Sequence, residues 1–297
     1  MKQGFVKVAS ATPRIRVADP VYNAQVICEQ AKEAAEHGAK IVVFPELCIT
    51  GYTCNDLFLQ ELLLEKAKEA LLTIAEETGQ LETLFLVGLP VDKDGRLYNV
   101  AAVLYRGRIL GMIPKKNIPM YAEFYEGRHF TPGEETVTEY RLGKQVIPFG
   151  SNLLFRCEEL PELILGCELC EDLWVAEPPS TSHALMGATV IANLSASNET
   201  VSKDDYRTLL IKASSARLLC GYIYTSAGEG ESTQDLVFGG HDLIAENGTL
   251  LVQSARFTTG ILYTDLDVLK ISSERRRMGT FGERPMKPYL TVPFSMQ

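Results

Sequence analysis

Leu163-Ile164-Leu165-Gly166-Cys167-Glu168-Leu169-Cys170-Glu171-Asp172-Leu173-Trp174 is an apolar, strand-like run that stops at a cysteine followed by two acids. A strand that delivers a side chain to a sharp turn leaves it exposed at the sheet edge, and the next backbone N–H groups then face whatever binds there. For a thiol this is the geometry of a nucleophile beside an oxyanion site, which makes Cys170 the candidate nucleophile. Other readings compete with it. Most cysteines are buried structural residues, and Cys167 with Cys170 spells C-x-x-C, the spacing of a redox dithiol or half a zinc site. Strand alternation sends residues three apart to opposite faces, and a redox pair normally opens a helix. No second C-x-x-C or paired histidine motif completes a zinc site, so no metal ligands are assigned.

Two other strand-like runs end the same way. Lys40-Ile41-Val42-Val43-Phe44-Pro45-Glu46 closes on a proline and a carboxylate, and Ile109 to Ile113 runs into Pro114-Lys115. Taken singly, Glu46 reads as a solvated loop acid and Lys115 as a surface charge. Between and after these runs the chain alternates helical and extended patterns. Asp19-Pro20 caps a helix whose apolar positions recur to Ala35, with Gly38 beyond it. Asn55 or Asp56 opens a second, whose stripe includes Leu59, Leu62, Leu63, Ala67, Leu71 and Ile74. Asp94-Gly95 and Asn247-Gly248 are hairpin turns, the latter between expected strands at 236–244 and 249–254. A further helix is expected from Lys203 to Cys220. Alternating elements joined partly by two-residue turns predict an α/β fold with two mixed sheets, stacked face to face with helices outside.

The 297 residues are 46% hydrophobic and 23% charged, ample for a large core. A net charge of −9 excludes a nucleic-acid surface, and the one basic cluster, Arg275-Arg276-Arg277, reads as a solvated or anion-pairing turn. Seven cysteines without disulfide-like spacing, no signal-peptide pattern and no membrane-length apolar run point to a cytoplasmic setting.

If Glu46, Lys115 and Cys170 converge at one end of the sheets, their chemistry is complementary. A thiol is mostly protonated at neutral pH and needs a base or a nearby positive charge. A lysine ammonium about 4 Å away contributes on the order of 4 kcal/mol at an effective dielectric of 20, enough to make the thiolate the major form. A carboxylate with a raised pKa can then shuttle the proton to a leaving nitrogen. The four histidines lie in ordinary contexts, so none is assigned to the chemistry.

This trio resembles the Glu-Lys-Cys signature of the nitrilase superfamily, a four-layer α-β-β-α sandwich. The sequence is most similar to the amino-terminal glutaminase domain of the glutamine-dependent NAD+ synthetases. The resemblance is carried by Phe44-Pro45-Glu46-Leu47 with Gly51-Tyr52, by Pro114-Lys115 with Tyr121 and Glu123-Phe124-Tyr125-Glu126, by Cys170-Glu171-Asp172-Leu173-Trp174, and by Asn193-Leu194-Ser195-Ala196-Ser197. It implies Glu46 as general base, Lys115 as stabiliser of the tetrahedral intermediate, Cys170 as the nucleophile that becomes a glutamyl thioester, and the Glu171 N–H as an oxyanion donor. Tyr52, Tyr121, Phe124, Glu171 and Ser197 match positions lining the family's glutamine pocket, and Glu126 is the candidate for support behind the trio. Lys203 stands where the family often has an arginine for the substrate carboxylate, without the guanidinium's fork.

The implied reaction is hydrolysis of glutamine to glutamate and ammonia for NAD+ synthesis. The alternatives are an amidase or carbamoylase acting on another small amide or nitrile, and a non-catalytic module that kept the fold. No cofactor is expected for the glutaminase step; ATP and Mg would belong to a synthetase domain, whose Ser-Gly-Gly-x-Asp-Ser loop is not among these residues. The expected partners are glutamine, that synthetase domain and a second copy of the chain, with no nucleic acid or membrane. Residues 1–282 are read as the glutaminase domain and 283–297 as the beginning of a linker.

Overall fold

The computed structural model of the protein describes residues 3–282 and 287–296. An eight-stranded sheet runs in the spatial order Gly260–Asp267, Phe5–Thr12, Ile41–Val43, Leu84–Lys93, Arg96–Tyr105, Arg108–Pro114, Gln145–Phe149, Thr138–Leu142. A seven-stranded sheet follows the order Thr249–Gln253, Leu243–Glu246, Gly221–Ser226, Val190–Ser195, Ile164–Leu169, Leu153–Cys157, Leu290–Phe294. Both mix parallel and antiparallel pairs.

The layers follow from alternation along the strands. Ile41 and Val43 face the inter-sheet core with Val8, Leu86 and Val103, against Leu165, Cys167, Leu169 and Ile223 of the other sheet. Val42 points outward with Phe85 and Val87 beneath Ile27, Ala31, Leu71 and Ile74 of the helices Pro20–Glu36 and Glu61–Glu77. On the far side, Ile191, Tyr222 and Tyr224 lie under Ala184, Ile211 and Leu218 of the helices Pro179–Leu185 and Lys203–Leu218. Central strands buried on both faces explain the unbroken apolar runs in the sequence. Each fully buried aliphatic side chain contributes roughly 1.5–3 kcal/mol. The result is the expected α-β-β-α sandwich.

Strand direction brings the three strand exits together. Phe5–Thr12, Ile41–Val43 and Leu84–Lys93 are parallel, and two antiparallel steps restore that direction in Arg108–Pro114. Glu46 and Lys115 therefore leave the same end of the first sheet. In the second, Ile164–Leu169, Val190–Ser195 and Gly221–Ser226 are parallel, so Cys170 and Ser197 leave one end as well. Hydrogen bonds across the sandwich pin those ends to each other: Ser10 Oγ to Thr225 Oγ1 at 2.5 Å, Thr225 Oγ1 to the Val43 carbonyl at 3.2 Å, and the Glu46 N–H to the Ser195 carbonyl at 3.3 Å.

Several segments differ from the sequence expectation. The helix expected from Asn55 is broken: Asn55–Leu59 is a 3-10 turn, Gln60 is extended, and the α-helix starts at Glu61. Leu59 and Leu62 consequently lie outside the buried stripe, both exposed. The strand expected over 236–244 reduces to Leu243–Glu246. Arg275-Arg276-Arg277 is no turn but the last turn of the helix Val268–Arg277. There Arg275 reaches inward, donating to the carbonyls of Ala188 at 2.6 Å, Leu219 at 2.9 Å and Leu218 at 3.0 Å. Within 283–297, read as a linker, Leu290–Phe294 adds a parallel edge strand beside Leu153–Cys157, with Phe294 and Met296 in the inter-sheet core; residues 283–286 and 297 lie outside the described residues.

Candidate active site

Each of the three residues is set by a local backbone device. After Ile41–Val43 the chain turns sharply, with Leu47 at φ +52°. The turn presses so closely on the neighbouring strand that a Cβ at Gly88 would lie 2.2 Å from the Leu47 nitrogen and 2.6 Å from the Pro45 carbonyl oxygen. Lys115 continues its strand by one residue, its N–H bonded to the Asn99 carbonyl at 2.8 Å. Cys170 has φ +38° and opens the 3-10 turn Cys170–Leu173. A non-glycine residue in this region is strained, and the strain turns the side chain off the strand line, as at a nucleophile elbow. The leading N–H groups of such a turn have no partner within it.

Glu46 and Lys115 are wholly buried, and Cys170 is 6% exposed. The Lys115 ammonium donates to Glu46 Oε1 at 2.6 Å and to both oxygens of Glu126, at 2.6 and 2.9 Å. Asn99 Nδ2 donates to the same Glu46 oxygen at 2.7 Å, and the Tyr52 hydroxyl to Glu126 at 2.8 Å. Glu46 Oε2 is buried without a hydrogen-bond partner. The buried Cys170 thiol lies near enough to Glu46, Lys115 and Glu126 for their charges to act on its titration.

Two carboxylates share one ammonium here, and the titration follows. Burial pushes Glu46 up to about 7, with Lys115 opposing and Glu126 adding to the rise. Burial disfavours the Lys115 ammonium, yet Glu126 and Glu46 outweigh it and hold its pKa well above the ordinary value. Burial and then Glu46 drive the Cys170 thiol up to about 12 against the pull of Lys115. This corrects the expectation of a resting thiolate: the lysine is already neutralised by two carboxylates, so the thiol keeps its proton. A carboxyl titrating near neutrality beside a protonated thiol is able to accept its proton.

The other candidate residues ring this centre. Tyr121 OH donates to the Glu171 carboxylate at 2.9 and 3.0 Å and packs edge-on to Phe124. The Lys203 ammonium sits 5.0 Å from the Trp174 ring centroid and 5.7 Å from that of Phe124, bonded to Asn198 Oδ1. Asn198 in turn donates to Glu123. Ser197 is buried, its N–H on Ser226 Oγ at 3.2 Å and its hydroxyl beside Arg207 at 3.4 Å. Charge on the Cys170 sulfur would bear on the titration of Tyr52, Tyr121 and Lys203, so all three stand near it. A carboxylate and an ammonium thus stand at the rim over a buried carboxylate-ammonium-thiol floor. A cleft walled by Tyr52, Phe58, Glu123, Glu126, Phe130 and Leu236 adjoins it.

Residues 7–276 match the family model for carbon-nitrogen hydrolase. The chain belongs to the carbon-nitrogen hydrolase family. Among curated relatives it is 43% identical over 284 residues to the glutamine-dependent NAD(+) synthetase of Mycobacterium tuberculosis, covering 95% of this chain and 42% of that one. To the enzyme of the same name from Thermotoga maritima it is 32% identical, covering 97% and 47%. The crystal structure of a glutamine-dependent NAD(+) synthetase from Cytophaga hutchinsonii superposes with a TM-score of 0.80 at 28% identity, over 88% of this chain and 43% of that one. An amidase from Nesterenkonia sp. AN1 shares the fold, with a TM-score of 0.70 at 21% identity over 92% and 97% of the two chains. The chain therefore spans less than half the length of the curated synthetases it matches.

For this carbon-nitrogen hydrolase, sequence reasoning missed Asn99, which bonds Glu46 by its side chain and Lys115 by its backbone. The signal was available: a lone amide inside Arg96–Tyr105, a strand otherwise apolar after Leu97, is a buried polar group that must have a partner. Arg207 was also missed. It is fully buried and bonds Glu199, His241, Ser197 and the Asn198 carbonyl; one arginine on a polar helix carries no such signal. No helix among the described residues is long and apolar enough to cross a membrane.

Proposed function

We propose that the chain hydrolyses the side-chain amide of glutamine through a thioester on Cys170. Glu46 Oε2 takes the thiol proton as sulfur attacks the amide carbon. The Lys115 ammonium and the Glu171 N–H stabilise the oxyanion, and Glu46 passes its proton to the departing nitrogen, which leaves as ammonia. Water, deprotonated by the same carboxylate, then attacks the thioester; the C–S bond breaks, glutamate is released, and Glu46 returns the proton to the Cys170 sulfur. Glu171, steadied by Tyr121, would face the α-ammonium of the substrate; Lys203 would face its α-carboxylate; Tyr52, Phe124 and Ser197 would complete the pocket. The observation that best supports this reading is the buried contact between Lys115 and Glu46, whose second oxygen is unsatisfied while its charge acts on the Cys170 thiol.

In the same reading, the ammonia feeds an ATP-dependent synthetase domain that amidates a precursor of NAD+, as the names of the relatives suggest. Seven free cysteines support a reducing, cytoplasmic setting, and exposed Val201, Tyr206 and Leu209 around one outer helix support self-association. The test compares ammonia release from glutamine, other ω-amides, carbamoyl compounds and nitriles. Glutamine should be preferred, and Cys170→Ala should abolish turnover in a folded protein. Preference for a small amide lacking the α-amino acid group would instead favour the amidase reading.

A further inference from the structure

Asp172 is buried two residues past the thiol, and its carboxylate reaches both sides of the cleft. On its own side, the N–H of Leu169, the residue before Cys170, donates to Oδ2 at 3.1 Å. Across the cleft, the N–H of Asn117 donates to Oδ1 at 2.8 Å, Asn117 Nδ2 to the same oxygen at 2.7 Å, and the N–H of Lys116 to Oδ2 at 3.4 Å. Lys116 and Asn117 directly follow Lys115, so one side chain ties the backbone beside the ammonium to the backbone beside the sulfur. No other side chain among the described residues bonds the flanking backbone of both. The two segments belong to different sheets, and the Cys170 backbone is held at φ +38°, a conformation that surrounding bonds must impose.

We propose that Asp172 is the positioning residue that fixes the separation between Lys115 and the Cys170 elbow. The inference rests on the cysteine-hydrolase reading above. All four donors point at the carboxylate, so an acceptor on both oxygens is what the site requires. Asp172→Asn keeps the volume but turns one oxygen into a donor, which opposes either the Leu169 N–H or the Asn117 pair. The elbow and the lysine loop then lose their common anchor. Lys203 and Tyr121 take no bond from Asp172, so KM should move less than kcat.

The experiment measures kcat and KM for glutamine in Asp172→Asn and in Asn117→Ala, which removes one donor from the opposite side. Each protein's thermal midpoint and its rate of Cys170 alkylation by iodoacetamide across pH are recorded too. Misplacement on the ångström scale costs on the order of 10²-fold in rate. We expect kcat to fall by about that factor in Asp172→Asn and by less in Asn117→Ala, KM to stay within about twofold, and the alkylation profile to shift in both variants. Unchanged kcat in both folded variants overturns the proposal, as does a loss confined to KM. Should Asp172→Asn fail to fold, Asn117→Ala decides alone. A wild-type protein with neither turnover nor selective Cys170 alkylation would instead refute the underlying hydrolase reading.

Discussion

Gly88 offers a direct test of how the fold places Glu46, the proposed general base. Glycine is needed there for space, not for backbone conformation, because the turn carrying Glu46 lies against its α-carbon. A Cβ in Gly88→Ala would stand 2.2 Å from the Leu47 nitrogen, 2.6 Å from the Pro45 oxygen and 2.8 Å from the Glu46 carbonyl carbon. Ordinary carbon contacts begin near 3.5 Å, so the turn must retreat by roughly 1 Å. All three obstructing atoms are backbone, and no rotamer change relieves them. Overpacking of this kind costs typically 1–3 kcal/mol, which for a chain of this size lowers Tm by roughly 2–10 °C. The retreat also carries Glu46 away from Lys115, now 2.6 Å distant, and from the thiol. A comparable displacement costs on the order of 10²-fold in kcat. The assay is steady-state ammonia release alongside calorimetry. Wild-type Tm and kcat in Gly88→Ala would refute the argument.

Other outcomes follow from the same structure. Glu46→Gln should reduce kcat by at least about 100-fold, the ordinary worth of a general base, measured by ammonia release. In the wild type, kcat/KM should rise with pH through about 7 as Glu46 loses its proton, because burial raises that carboxyl; an acid limb near 4 would contradict this. Stability should run the opposite way. Glu46, Glu168 and Asp242 are each raised by burial to about 7, so the folded chain holds protons that the unfolded chain releases near its ordinary carboxyl values. With more protons bound in the native state, stability falls as pH climbs from about 4.5 to 7 and levels off above; urea melts at several pH values measure it, and Asp242→Asn should flatten the slope. Arg275→Ala strips donors from the Ala188, Leu218 and Leu219 carbonyls and should cost about 2 kcal/mol, whereas Arg277→Ala, at an exposed position, should stay within about 0.5 kcal/mol.

The parts of this architecture visible in the sequence are those where one local rule decides. Asp19-Pro20 and Gly38 bracket their helix because caps are local chemistry, and Ile41–Val43 reads as a buried strand because both faces are apolar. The exits at Glu46, Lys115 and Cys170 were legible for the same reason: a polar group directly after an apolar run is conspicuous. What escaped depended on partners distant in sequence. Leu290–Phe294 looks like a tail until Leu153–Cys157 supplies its hydrogen bonds, and Arg275 looks solvated until three carbonyls from other elements surround it. The Cys170 thiol state was misjudged because the sequence shows one lysine but not that Glu46 and Glu126 both claim it. Buried electrostatics depends on how many charges share a site, which no single segment reveals.

The most direct test is the mass of the Cys170 peptide after the protein meets glutamine and is quenched rapidly in acid. A glutamyl adduct is expected on that cysteine in wild type, absent in Cys170→Ala and in Glu46→Gln. Ammonia release with no adduct on Cys170, or an adduct on another cysteine, would contradict the Cys170 thioester.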